Sequence, residues 1–267
     1  MTRIALLGIP HDENSSYLRG AAEAPPLIRR DLWSDAYSTW SETGVELGAA
    51  GTVIDHGDIQ FDGSIDPWER IEREVGRALE SGDPLICLGG DHAITHPIMR
   101  AVRRRQRRLT ILHIDAHADI YHAYEGNLRS HASPFARIME EGLADRLIQV
   151  GLRTINDHHR EQFERFGVEV IEAGRCAGPL KLDLRTPVYI SMDLDALDPA
   201  HAPGVTFREP GGLTTRQVID WIHAIDQPIV AADIVEYNPR CDHSNMTASV
   251  AAKLLKEIAG MMVKTAR

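Results

Sequence analysis

The sequence predicts an α/β protein organised as one domain around a mostly parallel sheet, on three observations. Apolar runs of strand length recur along all 267 residues. Several of them are apolar almost throughout rather than alternating, as strands covered on both faces of a parallel sheet are. Helical patterns fill the intervals, with no Ser/Gly-rich linker, composition break or internal repeat between them.

The first strand is expected in "RIALLGI" (3–9), within an N-terminus too short in its apolar run for a signal peptide. "GTVID" (51–55) follows. The helix "DPWERIEREVGRALESG" (66–82) then opens with Asp66 as N-cap and Pro67 in the first turn, and stops at Gly82. Strands are next expected in "PLICLGG" (84–90), "LTILHID" (109–115), "RLIQVG" (146–151), "VEVIE" (168–172) and "PVYISMDLD" (187–195). A threonine-capped helix, "TTRQVIDWIHAID" (214–226), precedes the strand "PIVAADIVE" (228–236), and the amphipathic "MTASVAAKLLKEIAGMMV" (246–263) closes the chain.

Composition narrows the function. Hydrophobic residues at 43% and charged residues at 25% suit a soluble globular protein. No apolar run approaches the roughly 18–20 residues of a membrane span. A net charge of −10 argues against a nucleic-acid partner. The basic stretch "RAVRRRQRRLT", with Arg100, Arg103, Arg104, Arg105, Arg107 and Arg108, reads as the solvated face and last turn of a helix, where cations suit the dipole. Three cysteines, Cys87, Cys176 and Cys241, without CxxC spacing point to a reduced, cytoplasmic protein.

Four strands end in polar clusters, at the end of the sheet where α/β folds place ligands. "PLICLGG" runs into Asp91 and His92, and "LTILHI" into Asp115, His117 and Asp119. "PVYISM" runs into Asp193 and Asp195 with Asp198 beyond, and "PIVAADIV" carries Asp233 and ends at Glu236. Any one of these alone is a common cap or turn residue. Together they differ, because residues two apart in an extended segment point the same way. Two such forks gather carboxylates whose repulsion a cation must offset. Carboxylates with one or two imidazoles and no thiolate suit a hard or borderline ion such as Mn²⁺. His92, Asp115, His117, Asp119, Asp193 and Asp195 are too many for one catalytic ion with an open position. They fit two ions sharing bridging carboxylates.

"GGDHAI", "DAHAD" and "SMDLDALDPAHAPG" resemble, in this order, the three signature motifs of the ureohydrolases: arginase, agmatinase and formiminoglutamase. The resemblance spans residues 1–267 as one domain and is strongest to the plant-type arginase branch. It includes "NSSYLRG", "APP", "EGNLRSHASPFARIMEEG", "QVGLRTIN", "REQFERFGVE", "IVEYNPRCD" and "MTASVAAKLL". It implies a three-layer α/β/α fold on an eight-stranded sheet, holding two Mn²⁺ ions. One ion would take His92, Asp115, Asp119 and Asp193; the other Asp115, His117, Asp193 and Asp195, with Asp115 and Asp193 bridging. It further implies attack of a metal-bridging hydroxide on a guanidinium carbon, His131 as proton shuttle and Glu236 as partner of the substrate guanidinium. Each role suits its side chain: a carboxylate matches a planar fork of donors, and a histidine exchanges protons near neutral pH. Asp91 and Asp198 read as turn or outer-sphere residues rather than ligands.

The expected reaction is hydrolysis of L-arginine to ornithine and urea, with agmatine, guanidinobutyrate or formiminoglutamate as the alternatives. Those substrates differ at the end remote from the metals, so the choice falls to residues 120–130, to "RTINDHHR" (153–160) and to "HDENSS" (11–16). In the first of these, Asn127 matches a family asparagine that contacts the amino-acid end, although "IYHAYEGN" replaces the Ser/Thr-rich loop of animal arginases. Ala118 also stands where plant-type relatives carry proline. A non-catalytic relative would have lost a metal ligand, and all six are present. A single-zinc deacetylase site would not need the fork of Asp193 and Asp195. The resemblance also implies a homo-oligomer, hexamer or trimer.

Overall fold

The computed structural model describes residues 2–266 except 177, 179 and 181. Among the described residues eight strands form one sheet: β1 (Ile4–Gly8), β2 (Val53–Asp58), β3 (Leu85–Leu88), β4 (Thr110–Ile114), β5 (Arg146–Leu152), β6 (Glu169–Glu172), β7 (Val188–Asp193) and β8 (Ile229–Val235). Their order is β2-β1-β3-β8-β7-β4-β5-β6 and every pairing is parallel. The expected mostly parallel, eight-stranded sheet is therefore parallel throughout.

Burial follows position in the sheet. β3, β4 and β7 are buried at every residue, whereas the edge strands β2 and β6 are half-exposed or exposed. Alternate strand residues feed two cores. Leu112, Ile114, Ile190 and Ile86 face α1 (Ala24–Leu32), α6 (Thr215–His223) and α7 (Met246–Thr265). Ile111, Leu85, Tyr189 and Ala231 face α2 (Pro67–Ala78), α3 (Thr95–Arg103) and α4 (Pro134–Glu140). Phe163 and Phe166 of α5 (Asp157–Phe166) flank that second core. Each buried Leu or Ile contributes about 1.5–3 kcal/mol, and a one-residue slip would turn every side chain of a strand to the wrong layer. Helices on both faces give the three layers.

The capping signals act as expected. Asp66 accepts from the N–H groups of Trp68 and Glu69, and Thr214 and Gln217 form a capping box. The first expected helix ends earlier, at Ala78, and tightens into a 3₁₀ turn (Leu79–Ser81) closed by Gly82 at φ 78°. β2 differs most, lying at 53–58 rather than 51–55. An ion-paired arginine rather than apolar burial fixes it: Arg29 of α1 binds both Asp55 and Asp58. The arginine-rich stretch ends α3, with Arg100 on Glu141, Arg103 on Asp145 and Arg104 on Glu72.

The topology serves the site by adjacency. β3, β8, β7 and β4 are far apart in sequence and consecutive in the sheet. Their carboxyl ends meet, and so do the four polar clusters. Gly90, just past β3, lets the N-terminal segment pass against this end, since a Cβ there would lie 1.7 Å from the carbonyl oxygen of His11.

Candidate metal centre

Beyond β3, β4 and β7 the six expected ligands converge in two sets that share one residue. His92, Asp115, Asp119 and Asp193 form the first; Asp115, His117 and Asp195 form the second. Asp115 uses Oδ2 toward His92 and Oδ1 toward His117, as a bridging carboxylate would. Asp193, expected in both sets, groups with the first alone, and its Oδ1 accepts the backbone N–H of Asp195. All six are buried except His117, which faces the cavity.

The packing around His92 is informative. Its Nε2 lies 2.9 Å from Ser191 Oγ, and that hydroxyl donates to Asp233 at 2.7 Å. With its proton so committed, Ser191 accepts from Nε2–H, and Nδ1 is left bearing the lone pair. Asp233 also accepts from Thr95 and from the Tyr189 hydroxyl. Nδ1 is a buried atom with no hydrogen-bond partner, yet Asp119 Oδ2 and Asp193 Oδ2 lie 3.0 Å from it and Asp115 Oδ2 3.3 Å. One proton can satisfy one of these oxygens. A cation among the four atoms satisfies all of them, and a set of oxygen and imidazole donors without thiolate fits a hard or borderline divalent ion.

The electrostatics tell the same story. Burial, with repulsion from Asp195 and Asp115, pushes Asp193 well above the usual carboxylate range. Burial lifts Asp195 to about 6 against the pull of His117. Burial acts to lower His117, but Asp195 and Asp115 outweigh it and hold the ring up at about 12. Without a cation the cluster retains protons in its place. Asp115 is oriented from behind: Gln149 donates to His113 Nδ1 at 2.9 Å, which leaves Nε2–H to donate to Asp115 at 2.7 Å.

Asp119 and Glu236 stand where the chain turns in over the strand ends, at φ 44° and 63°. Such left-handed backbone costs about 1–2 kcal/mol per residue. Backbone bonds from Phe135 N–H to Asp119 and from Glu236 N–H to Gly90 hold it there. Glu236 Oε1 accepts from the N–H of His92 at 2.9 Å and pairs with His131 Nδ1 at 3.1 Å, while Oε2 is buried without a partner. Burial acts to lower the pKa of His131, and Glu236 more than offsets it, bringing it to about 9.

These residues form the floor of a cavity of about 290 Å³ whose walls are Ser16, Tyr121, Tyr124, Thr154, Asn156, His159, Phe207 and Glu209. None of the described lining residues is Lys or Arg, so the cavity suits a cation. Two of the expected specificity segments meet in its wall, where Asn156 donates to the Tyr121 hydroxyl and His158 stacks on the Tyr121 ring. The third, 11–16, is stitched to the site through Asn14: its N–H donates to Asp91 and its carbonyl accepts from His131 N–H. Asn127 lies at the rim outside the lining, its side chain donating to Asn14 Oδ1 and accepting from Arg129 N–H. Asp91 caps the turn at His92 and Asp198 accepts three loop N–H groups, as turn residues rather than ligands.

Sequence reasoning did not single out Ser16, His113, Gln149, Ser191 or Phe207. The signal for three of them was a polar residue inside an apolar strand. Gln149, His113, Ser191 and Asp233 pair in one register row across β5, β4, β7 and β8 directly beneath the ligands.

A model of the arginase family matches residues 2–260. "Arginase 1, mitochondrial" from Oryza sativa subsp. indica is 45% identical over 276 residues, covering 97% of this chain and 81% of that protein. "N(1)-aminopropylagmatine ureohydrolase" from Thermus thermophilus is 36% identical, over 92% of this chain and 87% of that one. The solved arginase of Medicago truncatula superposes with a TM-score of 0.92 at 41% identity, covering 98% of this chain and 87% of that chain.

Proposed function

The chain belongs to the arginase family, and from that premise we propose that residues 1–267 form one amidinohydrolase domain that converts L-arginine and water to ornithine and urea. The observation that carries this reading is the unpartnered Nδ1 of His92 facing three carboxylate oxygens within 3.3 Å. His92, Asp115, Asp119 and Asp193 would hold one Mn²⁺ ion, and Asp115, His117, Asp193 and Asp195 a second. When bound, two such ions supply the Lewis acidity that makes water a nucleophile near neutral pH.

The chain's own groups do the rest. Glu236 offers its free Oε2 to the guanidinium and orients the planar cation over the floor. His131, with a pKa of about 9, is protonated at neutral pH and is the acid for the leaving amine. The cavity wall of Tyr121, Tyr124 and Phe207 excludes water from the substrate's methylene chain. Asn127 is assigned to the amino-acid end from the rim.

The alternatives, agmatine, guanidinobutyrate and formiminoglutamate, are separated from arginine by one assay of hydrolysis over the four compounds with Mn²⁺ loaded. Arginine is expected to lead. The same assay on His131→Ala should show turnover lower by about 10²–10⁴-fold with metal content unchanged. Loss of metal from that variant would refute the acid role.

For its assembly we assign a homo-oligomer, trimer or hexamer, for which exposed Trp33, Tyr37 and Trp40 offer apolar surface. Three free cysteines suit a reducing compartment such as the cytoplasm, whereas the rice relative carries a mitochondrial name. No helix among the described residues is long and apolar enough to cross a membrane.

A further inference from the structure

We propose that Ser16 is a further catalytic residue, whose hydroxyl relays the proton of His131 to the leaving amine. The proposal rests on the amidinohydrolase reading above.

Both ring nitrogens of His131 are engaged by protein. Nδ1 pairs with Glu236 Oε1 at 3.1 Å, and Nε2 lies 2.9 Å from Ser16 Oγ. On the Glu236 side the ring proton is held in a charge-assisted hydrogen bond. That carboxylate accepts from Nδ1–H and holds a second donor, the N–H of His92, on the same oxygen. Phe207 stacks on the imidazole at 5.5 Å and an interplanar angle of 23°, covering one face of the ring. Nε2 is then the nitrogen from which a proton can leave, and Ser16 Oγ occupies its hydrogen-bonding position. Ser16 lines the same cavity as Glu236, so its hydroxyl is open to a bound substrate.

A hydroxyl is suited to this place because it accepts and donates at once. When His131 is an imidazolium, Nε2–H donates to Oγ. In the step itself the Nε2–H bond breaks and the proton bonds to Oγ. The hydroxyl's own proton passes to the amine nitrogen as the bond from that nitrogen to the guanidinium carbon breaks. One proton moves from imidazolium to amine, and the serine ends as it began. Ser16 is held for this by its neighbours in the chain, since Asn14 bonds both Asp91 and the N–H of His131. The segment that carries the hydroxyl is thus tied to the residue it serves.

Ser16→Ala and Ser16→Thr in the Mn²⁺-loaded enzyme test the relay, with metal content and melting temperature measured alongside. The alanine variant should lose about 10²-fold in kcat with KM nearly unchanged, and the threonine variant should recover most of it. The decisive comparison uses a guanidinooxy analogue of the substrate, whose leaving aminooxy nitrogen is much less basic and depends less on protonation. There the alanine defect should shrink by tenfold or more. In the metal-free chain, the Nε2–H resonance of His131 should exchange faster with water after Ser16→Ala. A wild-type kcat in the alanine variant overturns the proposal, as does an equal loss on both substrates, which marks a packing role. Covalent labelling of Ser16 by a fluorophosphonate probe would overturn it in favour of a nucleophile. Failure of the parent enzyme to hydrolyse any guanidino compound sinks the amidinohydrolase reading itself, and the relay with it.

Discussion

Two clusters of buried carboxylate, one on a helix and one at the ends of the sheet strands, solve the same problem differently. On α7, Glu257 is fully buried. Lys253 donates to it at 2.6 Å, His223 Nε2 lies 2.8 Å away, and the N–H of Glu42 reaches both its oxygens at 3.1 Å. Burial pushes its pKa up, but these donors outweigh burial and the net shift is downward. At the strand ends Asp193 is as deeply buried, and there burial with repulsion from Asp195 and Asp115 outweighs the pull of His92 3.0 Å away, so its pKa moves up. The first cluster is complete as folded. The second balances its charge only with something the chain does not encode, and that deficit distinguishes a binding site from a structural ion pair.

The contrast breaks most sharply by substitution at Asp193. Asp193→Ala should bring bound metal and turnover down together to background, read by elemental analysis and urea release. Asp193→Asn should do the same, yet its metal-free form should be more stable at neutral pH than the metal-free parent. A carboxylate with a raised folded pKa loses stability as pH rises above its ordinary value, and an amide does not. A metal-free Asp193→Asn chain that melts below the metal-free parent would erase the distinction between the two clusters.

Glu257→Gln should do the reverse. Weakening the bonds from Lys253, which keeps Glu42 at 2.9 Å, and from His223 is expected to cost about 1.5 kcal/mol in denaturant unfolding, with turnover per folded chain unchanged. The sign with pH follows from the lowered pKa. The stabilisation is present in full above the ordinary value of 4.5 and is lost as pH falls through the lower folded value. The gap between parent and variant should therefore be constant near neutrality and close in acid. A gap that widens in acid would contradict the assignment.

The smallest effect expected is at Ser191→Ala. Removing the acceptor that fixes the His92 tautomer should weaken metal binding by about 10–100-fold, measured by competition with a chelator, without preventing binding. Unchanged affinity would mean that Asp115, Asp119 and Asp193 alone orient the ring.

The motifs that carry the ligands were legible because each is a local cluster of donors following a strand. The alternation expected to aim them does not hold, since β4 stops at Ile114, Asp119 is left-handed at φ 44° and Leu194–Ala196 is a 3₁₀ turn. The central strands were legible too, because strands buried on both faces must be apolar throughout. The β2 boundary was not legible, since an edge strand is fixed by an ion pair to Arg29 from another layer. Nor was the row of Gln149, His113, Ser191 and Asp233, whose members look like isolated polar lapses until the sheet register aligns them. Ser16 and Phe207 were missed for the same reason. Each acts through His131, more than 70 residues away in the chain.

By itself the sequence determined the kinds of chemical groups available and the strands after which they cluster, since both depend only on side-chain type and order along the chain. The tertiary structure decided which of those groups meet. Strand order brought β3, β8, β7 and β4 side by side, and a glycine let residues 11–16 close over their ends. Charge deficit, tautomer and proton path are properties of distances between segments far apart in the chain, and only packing sets those.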